Sequence, residues 1–169
     1  MWWIILIIIV IVGFILVKDM SPRKTENSND FDMPSRSPVT VRPVAYVNLQ
    51  PNNEYDFEIV GEASYQNNLA SIAGPKASQS KELYLEAIIE AEPNNQYDKN
   101  AIRVSIDNKT VGFFDRETAK EFKREYQRKG FTDKTTFKAN AVVVGGWKDK
   151  NSQGSYGVKL DIDSDNFGL

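Results

Sequence analysis

An aromatic ring, a carboxylate and an amide stand within four positions of one turn in the middle of the sequence. They belong to Tyr97, Asp98 and Asn100, and they follow a break made by Pro93 and two asparagines. A plain connection between two strands needs only Asn or Gly with a polar neighbour. This turn carries more chemistry than a connection requires, so it is the candidate functional site.

The elements that must position this turn are predicted from hydrophobic periodicity. Alternating apolar residues predict strands over 83–91 and 101–107, and the Asp107–Asn108–Lys109 step predicts a hairpin to a strand over 110–114. Asp115 is a suitable N-cap for a helix over 116–129 that stops at Gly130. Further strands are predicted over 44–49, 57–61, 137–146 and 156–163, with a short helix over 68–73. The class is mainly β with two helices (α+β), as a small barrel or sandwich.

Composition removes several kinds of chemistry. The 169 residues include no cysteine and no histidine, which excludes thiolate nucleophiles, cysteine zinc sites and the commonest general base. The net charge of −2 gives no electrostatic argument for nucleic acid from the chain as a whole. We expect no enzyme activity and no cofactor. The Asp161-x-Asp163-x-Asp165 spacing lacks the Gly and Glu of a calcium loop, so no metal site is expected.

The N-terminal stretch predicts a membrane anchor. Residues 2–17 (WWIILIIIVIVGFILV) are uninterruptedly apolar and would span about 24 Å as a helix, slightly less than a bilayer core of about 30 Å. A cleaved signal peptide would need a basic start and a small-residue cleavage site, and neither is visible. Lys18, Arg23 and Lys24 follow the apolar run, so the positive-inside rule places the C-terminal part in the cytoplasm. The expected protein is therefore a single-pass membrane protein.

Four regions are expected in the chain. They are an anchor at 1–18, a flexible Ser- and Pro-rich linker at 19–54, a folded domain at 55–165 and a tail at 166–169.

The folded region resembles the HIRAN domain family. The resemblance covers residues 57–163 and depends on Ile59–Val60–Gly61 with Tyr65, on the run E-P-N-N-x-Y-D-x-N-A-I-x-V at 92–104, and on Val111–Gly112–Phe113–Phe114 with Ala119. It implies a small β-barrel similar to the OB fold, which binds single-stranded DNA and holds the free 3′ end in a pocket. Where DNA-binding members of the family place a basic and an aromatic residue, this chain has Glu62–Ala63–Ser64.

The resemblance assigns five candidate DNA-binding residues. Tyr97 would stack on a terminal base, and the Asp98 carboxylate would accept a hydrogen bond from a sugar hydroxyl while repelling a terminal phosphate. Arg116 falls where the family offers a basic residue to the backbone, Asn95 matches the loop, and Tyr65 follows the glycine of the first strand.

Other interpretations remain open at this stage. Asp and Asn in turns commonly bond nearby backbone N–H groups, and Tyr97 could simply cover the end of the barrel. The basic residues between 116 and 150 could form a solvated surface, or a patch for phosphates or an anionic membrane. The alternative function is therefore a protein-interaction or membrane-surface module on the same barrel, with an unknown protein partner.

Overall fold

The computed structural model describes residues 45–169. The predicted anchor and the linker up to residue 44 lie outside the described residues. The strands are β1 (Tyr46–Asn48), β2 (Phe57–Glu58), β3 (Lys81–Ala91), β4 (Ile102–Ile106), β5 (Lys109–Phe113), β6 (Thr136–Gly145) and β7 (Tyr156–Leu160), and the α-helices are α1 (Gln66–Ala73) and α2 (Arg116–Arg128). Neither of these two helices is long and apolar enough to cross a membrane. The predicted class, mainly β with two helices, is confirmed.

One sheet runs in the order β2-β7-β6-β3-β4-β5, and β1 pairs in parallel with the start of β6. All other ladders are antiparallel. The predicted hairpin between β4 and β5 is present, with Asp107 and Asn108 at φ values of 50° and 60°. Positive φ at both central positions is typical of two-residue hairpins, because such a turn matches the right-handed twist of the two strands.

The two edges of the sheet meet at a single bridge. The Val60 N–H donates to the Phe113 carbonyl at 2.8 Å, and the Phe113 N–H donates back to Val60 at 2.9 Å. Gly112 permits this approach, because a Cβ there would lie 2.6 Å from Ile59 Cδ1 and 2.8 Å from the Val60 oxygen. The sheet thus curls into a half-barrel whose edges touch next to Phe113.

Helix α2 closes one side of the core. Asp115 caps it by accepting from the N–H groups of Glu117 at 3.0 Å and Thr118 at 3.2 Å. Its buried face carries Ala119, Phe122 and Tyr126, which are three and four residues apart, as on the apolar face of an amphipathic helix. The Phe122 ring lies edge-on to several aromatic rings, including that of Phe137 at 5.1 Å between centroids.

A polar cluster fixes the end of α2. Asp133 accepts from Lys123 Nζ at 2.8 Å and from the hydroxyl of fully buried Tyr126 at 2.8 Å. The hydrogen bond from Lys123, with that from Tyr126, holds the pKa of Asp133 below its usual value. Burial and the Asp133 hydrogen bond raise the pKa of Tyr126. The cluster therefore ties the helix to the turn that leads into β6.

The folded unit extends beyond both predicted boundaries. β1 lies in the region predicted as linker, yet it pairs with β6, and Leu49 is buried in the core. Phe167, in the predicted tail, is also buried and lies 6.3 Å from the Phe57 ring. Local sequence could not reveal either contact, because both are made with residues more than 80 positions away.

The alternating apolar residues of β3 are buried only in its second half. Ala87 and Ile89 are fully buried, whereas Leu83 is exposed. β4 pairs with β3 only from Ile88 onward, so the first half of β3 runs past the closed part of the sheet.

Candidate functional site

The central turn is held together by Asn95. Its side-chain oxygen accepts from the backbone N–H groups of Tyr97 at 2.9 Å and Asp98 at 3.2 Å. Its amide nitrogen donates to a Glu92 carboxylate oxygen at 2.8 Å. Through these three hydrogen bonds, Asn95 positions the backbone of Tyr97 and Asp98.

Asp98 divides its carboxylate between the loop and the outside. One oxygen accepts from the Asn100 N–H at 2.8 Å. This is the local hydrogen bond expected of an aspartate that only stabilises a turn. The other oxygen lies 3.6 Å from Arg116 Nε, at the start of α2. The side chain of Asp98 is 21% exposed and that of Arg116 is 71% exposed. The turn therefore keeps a carboxylate oxygen next to an exposed cation at the surface.

Ion pairs that no sequence motif indicates fix the two ends of the turn at 92–101. Arg103 donates to Glu92 at 3.1 Å and to Glu90 at 2.8 Å, and the Glu92 N–H donates to the Ala101 carbonyl at 2.8 Å. The Glu90 and Arg103 pair depends on the β3–β4 register, in which these two residues lie opposite each other. These contacts hold the two ends of the turn at the end of the sheet.

Tyr97 projects from the loop into solvent. The residue is 79% exposed, and its hydroxyl makes no hydrogen bond to any other described residue. A ring this exposed covers little of the barrel end, so its packing contributes little to the fold. The face of the ring is free to stack on a planar group.

A cavity of about 360 Å³ opens beside this ring. The predicted residues Asn95, Tyr97, Asp98 and Arg116 all line it. Its floor is apolar and comes from four separate segments of the chain, with the lining residues Val60, Ala101, Phe113, Phe114 and Ala119. The floor residues were assigned to strands and to the helix core in the sequence, and no local signal indicates that they share a cavity.

Tyr65 lies next to the cavity without lining it. It ends a 3₁₀ turn at Glu62–Tyr65, which begins after Gly61 with a φ of 88°. Its ring lies 6.1 Å from the ring of Phe113, which lines the cavity, but Tyr65 is not itself a lining residue. Four of the five predicted residues thus meet at one cavity, and the fifth supports its wall.

The mouth of the cavity carries mixed charge. Asp115 lines it together with Asp98 and Arg116. A hydrogen bond with Thr118, together with the N–H groups of the helix start, lowers the pKa of Asp115, so this carboxylate is committed to capping α2. Within residues 45–169, no group of three or more acidic side chains is placed to hold a metal ion. The arrangement suits binding of a neutral ring with a hydroxyl next to it and an anion within reach of Arg116.

A larger groove of about 630 Å³ lies on the outer face of β3 and β6, away from the predicted residues. Tyr55 and Tyr84 line it, with ring centroids 5.2 Å apart. Lys138, at the same groove, is paired with Glu86 at 2.6 Å. The groove has no residue in common with the cavity beside Tyr97.

Fold and cavity together define a small domain in which a curled β-sheet and α2 enclose a largely apolar cavity. Residues 76–150 match the family model of the HIRAN domain. Among solved structures, the chain is similar to the crystal structure of the HIRAN domain of human HLTF, with 21% identity over 48% of this chain and 73% of that chain, at a TM-score of 0.26. A search of curated proteins finds no match.

The match to the family model confirms the HIRAN resemblance over residues 76–150. This range contains the turn at 92–101, the Val111–Gly112 step and all of α2. Val60 and Tyr65 lie before the matched range and join the site through Phe113.

Proposed function

We propose that the folded domain binds single-stranded nucleic acid without catalysing a reaction, and that it recognises the free 3′ end of DNA. The match to the HIRAN family supports a nucleic-acid-binding module. The observation that carries the finer proposal is the convergence of Tyr97, Asp98 and Arg116 on one apolar cavity.

Each wall of the cavity has a counterpart in a terminal nucleotide. The exposed Tyr97 ring supplies a stacking face for a base, and such stacking contributes about 1–3 kcal/mol per base. The apolar floor accepts the base or sugar without leaving a polar group unpaired. Arg116 is largely exposed and only loosely paired at 3.6 Å, so its guanidinium can reach a phosphate of the strand.

The Asp98 carboxylate supplies selectivity for the end of the strand. A terminal 3′-hydroxyl can donate to the Asp98 oxygen that faces Arg116, and hydrogen bonds to charged groups contribute about 1.5–3 kcal/mol. A terminal phosphate would instead bring a second anion against this carboxylate, which is repulsive. An acid in a nucleic-acid site thus favours an unphosphorylated end.

The test compares oligonucleotides that end in a 3′-hydroxyl or a 3′-phosphate. Full-length protein in neutral detergent is titrated at low salt, where phosphate contacts are strongest. We expect preference for the hydroxyl end, and Asp98→Asn should reduce this preference about 10-fold or more while keeping the acceptor for the Asn100 N–H. Asp107→Asn makes the same chemical change on the exposed hairpin turn, outside the cavity, and should leave the preference unchanged.

Two results would refute the proposal. One is the absence of binding by the wild-type protein at low salt. The other is equal affinity for the two ends, since the carboxylate would then have no part in recognition.

We also propose that residues 2–17 anchor the protein in a membrane, with the folded domain on the cytoplasmic side. This is supported by the apolar run and by the basic residues Lys18, Arg23 and Lys24 that follow it. The protein should resist extraction from membranes by alkaline carbonate. Externally added protease should leave the domain intact in sealed cells. Release by carbonate would argue against the anchor.

A second candidate function is a protein-interaction module on the same fold. The outer groove favours it, because Tyr84 is 56% exposed there beside Tyr55 and the groove is larger than the cavity. Exposed aromatic rings in a groove are common in protein interfaces. Failure of the wild-type protein to bind any oligonucleotide would favour this candidate.

A further inference from the structure

The solvent-facing surface of α2 is divided by charge. Cations at Arg116, Lys120 and Arg124 recur at every fourth position, and acids at Glu117, Glu121 and Glu125 form a second row beside them. Residues four apart lie on the same side of a helix, one above the other. We call Arg116, Lys120 and Arg124 the basic flank.

The basic flank begins at the cavity. Arg116 lines the cavity and lies 3.6 Å from Asp98. Lys120 and Arg124 follow along the helix axis in steps of about 6 Å, from four residues at about 1.5 Å each. This spacing is comparable to that of successive phosphates in an extended single strand.

The cations of the flank are available to a ligand. Arg124 is exposed and makes no salt bridge within the described part of the chain. Lys120 is paired with Glu117 at 2.9 Å, but both side chains are half exposed or more. Exposed pairs of this kind contribute about 0–1 kcal/mol, so a phosphate can replace the glutamate. Lys123, by contrast, is 18% exposed and committed to Asp133.

We propose that the sugar-phosphate backbone of a single strand, with its 3′ end in the cavity, runs along the basic flank of α2. This inference depends on the proposed function and adds the path of the strand. Two observations favour this occupant over other partners: the charge is complementary to phosphates, and the flank is continuous with the cavity through Arg116. The acidic row repels phosphates on the other side and so restricts the strand to one path.

The test uses strand length and salt. With wild-type protein, affinity should rise as the oligonucleotide is extended from two nucleotides to several, because added phosphates reach Lys120 and Arg124. In the double variant K120Q/R124Q this gain should disappear. The slope of log affinity against log salt should fall by about 1.4, from about 0.7 for each of two lost phosphate contacts on a single strand.

The matched control is K148Q/K150Q, which removes the same charge from the β6–β7 connection. That connection follows Gly145, which lies opposite Lys81 at the far end of β3 from the turn at 92–101. The eleven residues from Lys81 to Ala91 are ten steps of about 3.3 Å and so extend about 33 Å along the strand. The control should keep the wild-type length gain and salt slope.

The outcomes separate this inference from the proposed function. If the wild-type protein binds no oligonucleotide of any length, the proposed function fails as well. If the wild type binds and K120Q/R124Q keeps both the length gain and the slope, the path is wrong, and the flank faces something else, such as an anionic membrane. An equal loss in the control variant would also overturn the path, since net charge alone would then explain the effect.

Discussion

Removing the ring of Tyr97 should weaken binding without weakening the fold. Because the residue is 79% exposed, truncation to alanine removes little packing. Its hydroxyl makes no hydrogen bond to another described residue, so no partner is left unpaired. The change in folding free energy should stay within about 0.5 kcal/mol, as for ordinary surface substitutions.

The binding cost follows from the stacking energy. Loss of one base stacked on an aromatic ring costs about 1–3 kcal/mol. At about 1.4 kcal/mol for each factor of ten, Tyr97→Ala should raise Kd for a 3′-hydroxyl oligonucleotide about 5- to 150-fold. Tyr97→Phe keeps the ring and should bind like the wild type.

Fluorescence anisotropy with a labelled single strand measures the affinities, and thermal unfolding measures stability in parallel. Tyr84→Ala is the matched control, because Tyr84 is 56% exposed on the outer groove and away from the cavity. Wild-type affinity in Tyr97→Ala would refute the stacking role. An equal loss in Tyr97→Phe would show that the hydroxyl and not the ring makes the contact.

Two further predictions concern the fold. Gly112→Ala would place a Cβ 2.8 Å from the Val60 oxygen and should destabilise the protein by about 1–3 kcal/mol in denaturant unfolding. Gly157→Ala is the control, because its Cβ would meet no atom nearer than 3.6 Å. An equal loss of stability in Gly157→Ala would contradict the steric explanation. Asp133 has a lowered pKa, chiefly because of its hydrogen bond with Lys123, so its stabilising contribution is present above the unfolded pKa of 3.8 and is lost as pH falls through the lower folded value. The free energy of unfolding of Asp133→Asn should be lower than that of the wild type at neutral pH, and the difference between the two should shrink in acid. A difference that stays constant with pH would show that ionisation of Asp133 does not contribute to stability.

Gly112 belongs to the motif that indicates the family, and the structure gives a physical reason for a glycine at this position. In the sequence, Gly112 marks a resemblance to a family. In the structure, it is the position where β5 approaches the backbone after β2 closely enough for the bridge between Val60 and Phe113. That bridge also brings two floor residues of the cavity together.

The amino-acid sequence by itself determined the local elements. The alternation over β3 and β4, the Asp107–Asn108 turn, the Asp115 cap and the apolar spacing of α2 were all predicted, and the structure contains them. These features depend on contacts between residues a few positions apart, so periodicity and turn chemistry indicate them directly. The motif at 92–104 also located the candidate turn.

Tertiary structure alone decided what surrounds that turn. The Asp98 and Arg116 pair joins residues 18 positions apart, and the cavity floor combines the bridge residue Val60 with β5 and α2. The parallel pairing of β1 with β6 and the burial of Phe167 likewise depend on partners far along the chain. Such contacts arise from strand order and sheet closure, which no local pattern encodes. The sequence therefore placed Asn95, Tyr97 and Asp98 on one turn, and folding brought Arg116 and an apolar cavity next to them.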